Sequence, residues 1–150
     1  MNPEEIEDLL HREQLQLAET RKRGIAFFVD EVLLSILLTI VLWDKFTTAT
    51  TLEAIIAVTN TFVLEYMAMK ILYQTFFVMQ YGATIGKIMM RIQVIELRSF
   101  SLPGFNASFN RAVFRVISEM LFYLGFLWGM FDPLRRTWHD RTAQTLVVNV

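Results

Sequence analysis

The sequence predicts an all-α membrane protein: two to three transmembrane or re-entrant helices with a small cytoplasmic two-stranded β element. Three observations lead there. Hydrophobic residues fill 54% of 150 positions and charged residues 19%, with a mean hydropathy of +0.40, against roughly 45–50% and about 25% in a soluble domain. The apolar residues gather into runs near the ~20 residues that cross a hydrocarbon core. Two short stretches, 92–97 and 145–150, are instead β-branched and partly alternating. With no cysteine there is no disulfide scaffold, thiolate metal site or thiol nucleophile. His11 and His139 are the only histidines, too few for a metal cage. A formal charge of −1 and a pI near 6.1 exclude nucleic acid as a partner.

Residues 1–22 are predicted to form an amphipathic cytoplasmic helix, set apart from a membrane domain over 23–150. Asn2 before Pro3, followed by Glu4 and Glu5, makes a helix start: a cap, a first-turn proline, and carboxylates at the positive dipole end. Ile6, Leu9, Leu10 and Leu17 share one narrow apolar stripe. The acidic leading part, without an apolar core, is no signal peptide. Such a helix either docks on another protein or is a solvated lead-in.

Gly24 to Trp43 is a first span, interrupted by Asp30 and Glu31; Arg21, Lys22 and Arg23 before it favour a cytoplasmic N-terminus. Leu52 to Gln80 is long enough for a second, tilted span. Glu65 and Lys70 inside it are five apart and point to different sides of the helix. Ile92–Leu97 and 145–150 read as strands, and since neither satisfies its backbone alone they are expected to pair. That pairing conflicts with three full crossings, which would put Arg135, Arg136 and Arg141 outside. The resolution favoured by charge is that 109–131 dips in and turns near Gly125, or lies partly in the interface, keeping the tail cytoplasmic.

Charges at bilayer depth cost about 2.5–3.5 kcal/mol on insertion scales and therefore need partners. Arg23, Ala26 and Asp30 follow the spacing i, i+3, i+7 on one helix face. Asp30 is either a protonatable carboxylate in an ion or proton path or half of a structural ion pair. Glu31, Ser35 and Thr39 form a second stripe, whose oxygens suit hard cations or, preferably, a polar seam between helices. Arg111, Arg115 and Glu119 stack four apart; Arg115 can pair with Glu119 or, if buried, with Asp30. If Asp30 and Arg115 pair, Arg115→Asp with Asp30→Arg should restore folding that either change destroys.

Gly82–Lys87 lacks the four-residue glycine spacing and the Ser or Thr after Lys of a phosphate loop, and reads as a glycine hinge. Gly125 and Gly129 fit the close-packing pattern of membrane helices. Neither a nucleophile elbow nor a paired-His zinc motif appears, so no enzyme chemistry and no cofactor are expected.

These blocks in this order resemble the RDD family of small prokaryotic membrane proteins, named for one Arg and two Asp. Arg23-Gly24-Ile25-Ala26 with Asp30 is similar to its first-helix signature, Thr84-Ile85-Gly86-Lys87 and Ile92-Gln93-Val94-Ile95 to its turn and strand, and Arg111 and Arg115 to the arginines of its next helix. Phe131-Asp132, Arg135–Asp140 and Thr145–Val148 resemble its closing segment, with Asp140 as the second Asp. The likeness covers about residues 21–148; Glu31 and Gln93 depart from it. It implies a multi-pass protein of the prokaryotic cytoplasmic membrane. For activity it implies one of two things. The first is a homo-oligomeric monovalent-cation/proton antiporter, in which Asp30 exchanges H⁺ for Na⁺, Li⁺ or K⁺, Glu31 assists and Arg23 or Arg115 sets the pKa. The second is a non-catalytic accessory or scaffold subunit that binds another membrane protein. Asp140 is expected to bond backbone amides or to pair with Arg111 or Arg141, tying the tail strand to the helices.

Overall fold

A computed structural model describes residues 3–150, so the expected cap at Asn2 lies outside it. Helix α1 (Pro3–Arg12) carries Glu4 and Glu5 in its first turn and His11 and Arg12 in its last, each sign at the dipole end it favours. It is shorter than the helix predicted over 1–22. Gln14 takes a left-handed φ of 56°, and the chain then runs extended to Glu19. Leu17, expected on the helical stripe, forms a β-bridge to Val148. The reason is an available strand edge: Ala18 N donates to the Val147 carbonyl at 2.9 Å and Asn149 N to the Gln16 carbonyl at 2.8 Å.

Helix α2 (Thr20–Val41) is, among the described residues, the one helix long and apolar enough to cross a membrane alone, with a mean hydropathy of 2.2 over its best window. Its outer face leaves Phe28 68% and Ile40 63% exposed, a surface that needs lipid or a partner. A short α3 (Trp43–Thr48) leads to α4 (Leu52–Thr61), capped by the Thr51 hydroxyl, which accepts from Ala54 N at 3.2 Å. The apolar run 52–80 breaks at Phe62, and α5 (Val63–Tyr81) leaves α4 at 56°. Gly82 ends α5 with a φ of 67°, the left-handed cap that glycine takes without strain. Then come α6 (Ile85–Met89), β1 (Ile92–Glu96), α7 (Phe105–Met120), α8 (Leu124–Phe131), α9 (Trp138–Thr142) and β2 (Thr145–Asn149).

The two strands pair antiparallel as expected, with Val94 opposite Val147. The sheet is buried on both faces, which explains why its residues are apolar almost without alternation. Ile95, Leu146 and Val148 pack with Ile6 and Leu10 of α1 and with Leu134. Ile92, Val94 and Val147 pack against Ala18, just before α2, and against Ala26 and Val78 of α2 and α5. Gln93 uses its side chain on Tyr81, donating from Nε2 to the carbonyl at 3.2 Å.

Helices α7 and α8 meet at 105°, so 105–131 folds back on itself. The turn lies at Leu121–Tyr123, where Phe122 and Tyr123 have φ of 53° and 61°, and so falls before Gly125. Gly125 acts in packing instead. A Cβ there would run into Ser118 and lie 3.1 Å from Trp138, so its absence lets α8 lie on α7 and α9. With each bent pair counted as one span, the helices able to cross a membrane rise from one to three.

Candidate functional site

Three buried charge networks sit where α2, α5, α6, α7 and α9 converge. The first is built on Thr137, the N-cap of α9. Its side chain and that of Asp140 form a reciprocal capping box, in which Thr137 N donates to Asp140 Oδ2 at 2.9 Å. The Thr137 hydroxyl donates to the same oxygen at 2.7 Å. Asp140, fully buried, also receives Arg111 from α7 on Oδ1 and Arg23 from α2 on Oδ2. Arg111 reaches Thr145 of β2 as well, and Arg23 the Arg135 carbonyl. Burial works to raise the Asp140 pKa, but the charges of Arg23 and Arg111 outweigh it and hold the carboxyl well below its usual range. Next to it, burial pulls the His139 imidazole well below its ordinary 6.5, helped by Arg111 and Arg23 and opposed by Asp140. Its Nε2 lies 2.9 Å from the Thr137 hydroxyl.

The second network closes on Asp30, which is also fully buried. Oδ1 accepts from the Tyr73 hydroxyl at 2.8 Å and from Gly86 N at 2.9 Å, and Oδ2 from the Thr84 hydroxyl at 2.7 Å. Arg115 Nη1 stands 3.8 Å from Oδ2. This arrangement pins the 82–86 segment to α2. It depends on Gly86, because a Cβ there would collide with the Ala26 carbonyl oxygen.

In the third, Lys70 of α5 is shared between Glu31 of α2, at 2.9 Å, and Glu119 of α7. Arg115 joins the same acids, with Nη2 3.5 Å from Glu31 and Nε 3.3 Å from Glu119. Tyr66 lies 3.4 Å from Glu31 and 3.5 Å from Ser35. Three helices are thereby tied at one level.

A family model described as the RDD family matches residues 17–144, the stretch that holds both buried aspartates and their arginines. The chain belongs to the RDD family. No curated protein and no solved structure matches it. RDD proteins are membrane proteins, in keeping with the apolar α2.

All six RDD-signature and neighbouring charges, Arg23, Asp30, Glu31, Arg111, Arg115 and Asp140, are brought into these networks, with partners that differ in part from those expected. Arg23 and Asp30 share a face of α2, yet Arg23 reaches across to Asp140, and Asp30 is met by Arg115. Asp140 pairs with Arg111 as one expectation had it; Arg141 faces Asp132 instead, at 3.9 Å. Arg115 meets both Asp30 and Glu119. The stripe of Glu31 and Ser35 is a seam to α5, whereas the Thr39 hydroxyl turns back to the Ser35 carbonyl of its own helix at 2.8 Å.

Sequence reasoning missed Tyr73, and it noticed Lys70 without finding its partners Glu31 and Glu119. A lysine and a tyrosine in an apolar run are the signal that would have found them, since each must meet an acid or a backbone group when buried. Among the described residues, no three metal-ligating side chains cluster.

Proposed function

We propose that this RDD protein is a multi-pass protein of the prokaryotic cytoplasmic membrane, with its N-terminus in the cytoplasm, that serves as a non-catalytic accessory subunit binding another membrane protein. The observation behind this reading is the condition of Asp30. Both its oxygens are occupied by three hydrogen-bond donors, with Arg115 behind them. A carboxylate that exchanges H⁺ for a cation must release its partners and face each side in turn. Asp30 would have to undock Thr84 and Gly86, and with them the segment that joins the membrane helices to the sheet. Asp140, held by two arginines and a capping box, is equally committed. One continuous span and two bent ones also enclose little space for a path. The partner is expected on the outer face of α1, where Glu4, Glu7 and Asp8 are exposed while Ile6 and Leu10 are spent on the sheet. The positive-inside rule places the basic 21–23 and 135–141 segments in the cytoplasm.

One observation favours cation/proton exchange by a homo-oligomer as a second reading. Glu31 is 22% exposed at its side chain, and its Oε1 has no hydrogen-bond partner. Two acids sharing Lys70 could trade a proton for Na⁺, Li⁺ or K⁺ there. Liposomes loaded with a pH-sensitive dye decide between the two. The accessory reading expects no cation-dependent proton efflux from folded wild type. Efflux that survives Asp30→Asn and vanishes in Glu31→Gln would overturn it in favour of exchange at Glu31; efflux lost in a folded Asp30→Asn would return the role to Asp30.

A further inference from the structure

A cavity of about 250 Å³ opens between α2, α6, α7 and α8. Its polar wall is strongly cationic, with Arg23, Lys87, Arg111 and Arg115 facing Asp30. Arg23, Arg111 and Arg115 have acids of their own, while Lys87 does not. It is 8% exposed, yet its ammonium makes no hydrogen bond or ion pair among the described residues. Across the connected networks five cations, Arg23, Lys70, Lys87, Arg111 and Arg115, meet four carboxylates, Asp30, Glu31, Glu119 and Asp140. The one left over inside is the lysine in the cavity wall; Arg135, also without an acid, is exposed and donates to the Ala18 carbonyl at 3.4 Å. In the same wall, Arg115 Nη2 is buried without a hydrogen-bond acceptor, its nearest acid oxygen 3.5 Å away on Glu31.

The rest of the cavity is mostly apolar, with Thr137 and His139 of the Asp140 network at one side. Phe27, Tyr123 and Phe126 line it, and Leu127 and Met130 of α8, 49% and 65% exposed, continue outward from its rim. Gly24 and Arg23 place the opening beside the basic start of α2. A buried unpaired charge is costly, and the complement of this site is a monoanion with an apolar body. A phosphodiester carries one charge, and basic pockets between membrane helices on the cytoplasmic side suit anionic headgroups.

We propose that the cavity seats the headgroup of one anionic phospholipid, its phosphodiester against Lys87 and Arg115 and its acyl chains along α8. Burial together with Arg111 and Arg115 pulls Lys87 well below the usual lysine range; a phosphodiester's negative charge beside it opposes that shift.

The test uses the full-length protein in nanodiscs of phosphatidylcholine with rising fractions of phosphatidylglycerol, read as thermal midpoint. Wild type is expected to gain with phosphatidylglycerol. Lys87→Met should be no less stable than wild type in pure phosphatidylcholine, having lost a buried amine without a partner, and should need about tenfold more phosphatidylglycerol for the same gain. Equal gains in both proteins would overturn the site, since surface attraction would suffice. The same gain from inorganic phosphate in pure phosphatidylcholine discs would overturn the lipid assignment in favour of a free oxyanion. Native mass spectrometry of wild type keeps the proposal open to refutation if Lys87→Met fails to fold. One retained phosphatidylglycerol per chain is expected, and equal retention of phosphatidylcholine would sink it.

Discussion

Replacing Asp140 by Asn keeps its volume and removes the charge on which Arg23 and Arg111 converge. Both arginines are enclosed, with side chains 15% and 5% exposed, and the carboxylate itself is buried. Removing one partner of a buried pair costs about 3–5 kcal/mol, mostly because a charge is left without compensation. Arg111 keeps the Thr145 hydroxyl and Arg23 the Arg135 carbonyl, so each retains one acceptor and the sum stays near that range. At about 2–4 °C per kcal/mol for a chain of this size, Asp140→Asn should lower the melting temperature in detergent micelles by roughly 6–20 °C. Tryptophan fluorescence follows this directly, because Trp138 opens the same helix α9. Arg141→Gln is the control. Its side chain is 47% exposed and 3.9 Å from Asp132, and it should move stability by no more than about 0.5 kcal/mol. A loss below about 1 kcal/mol for Asp140→Asn would refute the view that this carboxylate holds the charges of α2 and α7 together.

Three further outcomes follow from the same geometry. His139 is neutral when folded, whereas the unfolded chain takes up a proton near 6.5. Stability should therefore fall as pH drops below that value, by up to about 1.4 kcal/mol per unit; His139→Gln should flatten the slope between pH 6.5 and 4, and an unchanged slope there would assign it elsewhere. Asp140 and Asp132, both held below 3.8, add their loss only under that pH. Gly86→Ala should cost several kcal/mol and leave little folded protein by size-exclusion chromatography, because the new methyl meets the Ala26 carbonyl; a normal monodisperse yield would show that α6 can shift. The swap Asp30→Arg with Arg115→Asp should fail to restore folding, because position 30 accepts from Tyr73, Thr84 and Gly86 and an arginine there leaves the buried Gly86 amide without an acceptor; recovery of the wild-type melting temperature would mean the Arg115 contact dominates.

The apolar runs, the strand pair and the charges that must be buried could be read along the chain because each is a local property: hydropathy over 20 residues, β-branching over six, a charge in an apolar run. Backbone breaks without glycine or proline could not. Gln14, Phe122 and Tyr123 take left-handed φ values with no residue preference to announce them. Periodicity carried the first helix on to Leu17 since Leu17 lies seven after Leu10, and only the open edge of β2 decides otherwise. Gly125 signals both a nearby turn and close packing, and it serves the packing, two residues past the turn. Partner identity was the hardest part. Arg23 and Asp140 are 117 positions apart, and their contact follows from where α9 docks, which no spacing encodes. How 1–22 meets the rest of the chain is equally unencoded by spacing. Ile6 and Leu10 complete the cluster under the sheet, so deletion would open a core, and charge changes on Glu4, Glu7 and Asp8 are the cleaner probe.

The late position of Asp140 has a consequence for biogenesis. At about 5–20 residues per second, the ribosome adds the 117 residues that separate Asp140 from Arg23 in roughly 6–25 s. For that interval Arg23, and later Arg111, enter the translocon without their acid. Strand β1 likewise waits for β2, more than forty positions on. The early helices therefore stay unlatched until translation has passed Asn149. A chain stalled before then presents mispaired arginines and a bare strand edge, which are features that membrane proteases and chaperones can recognise.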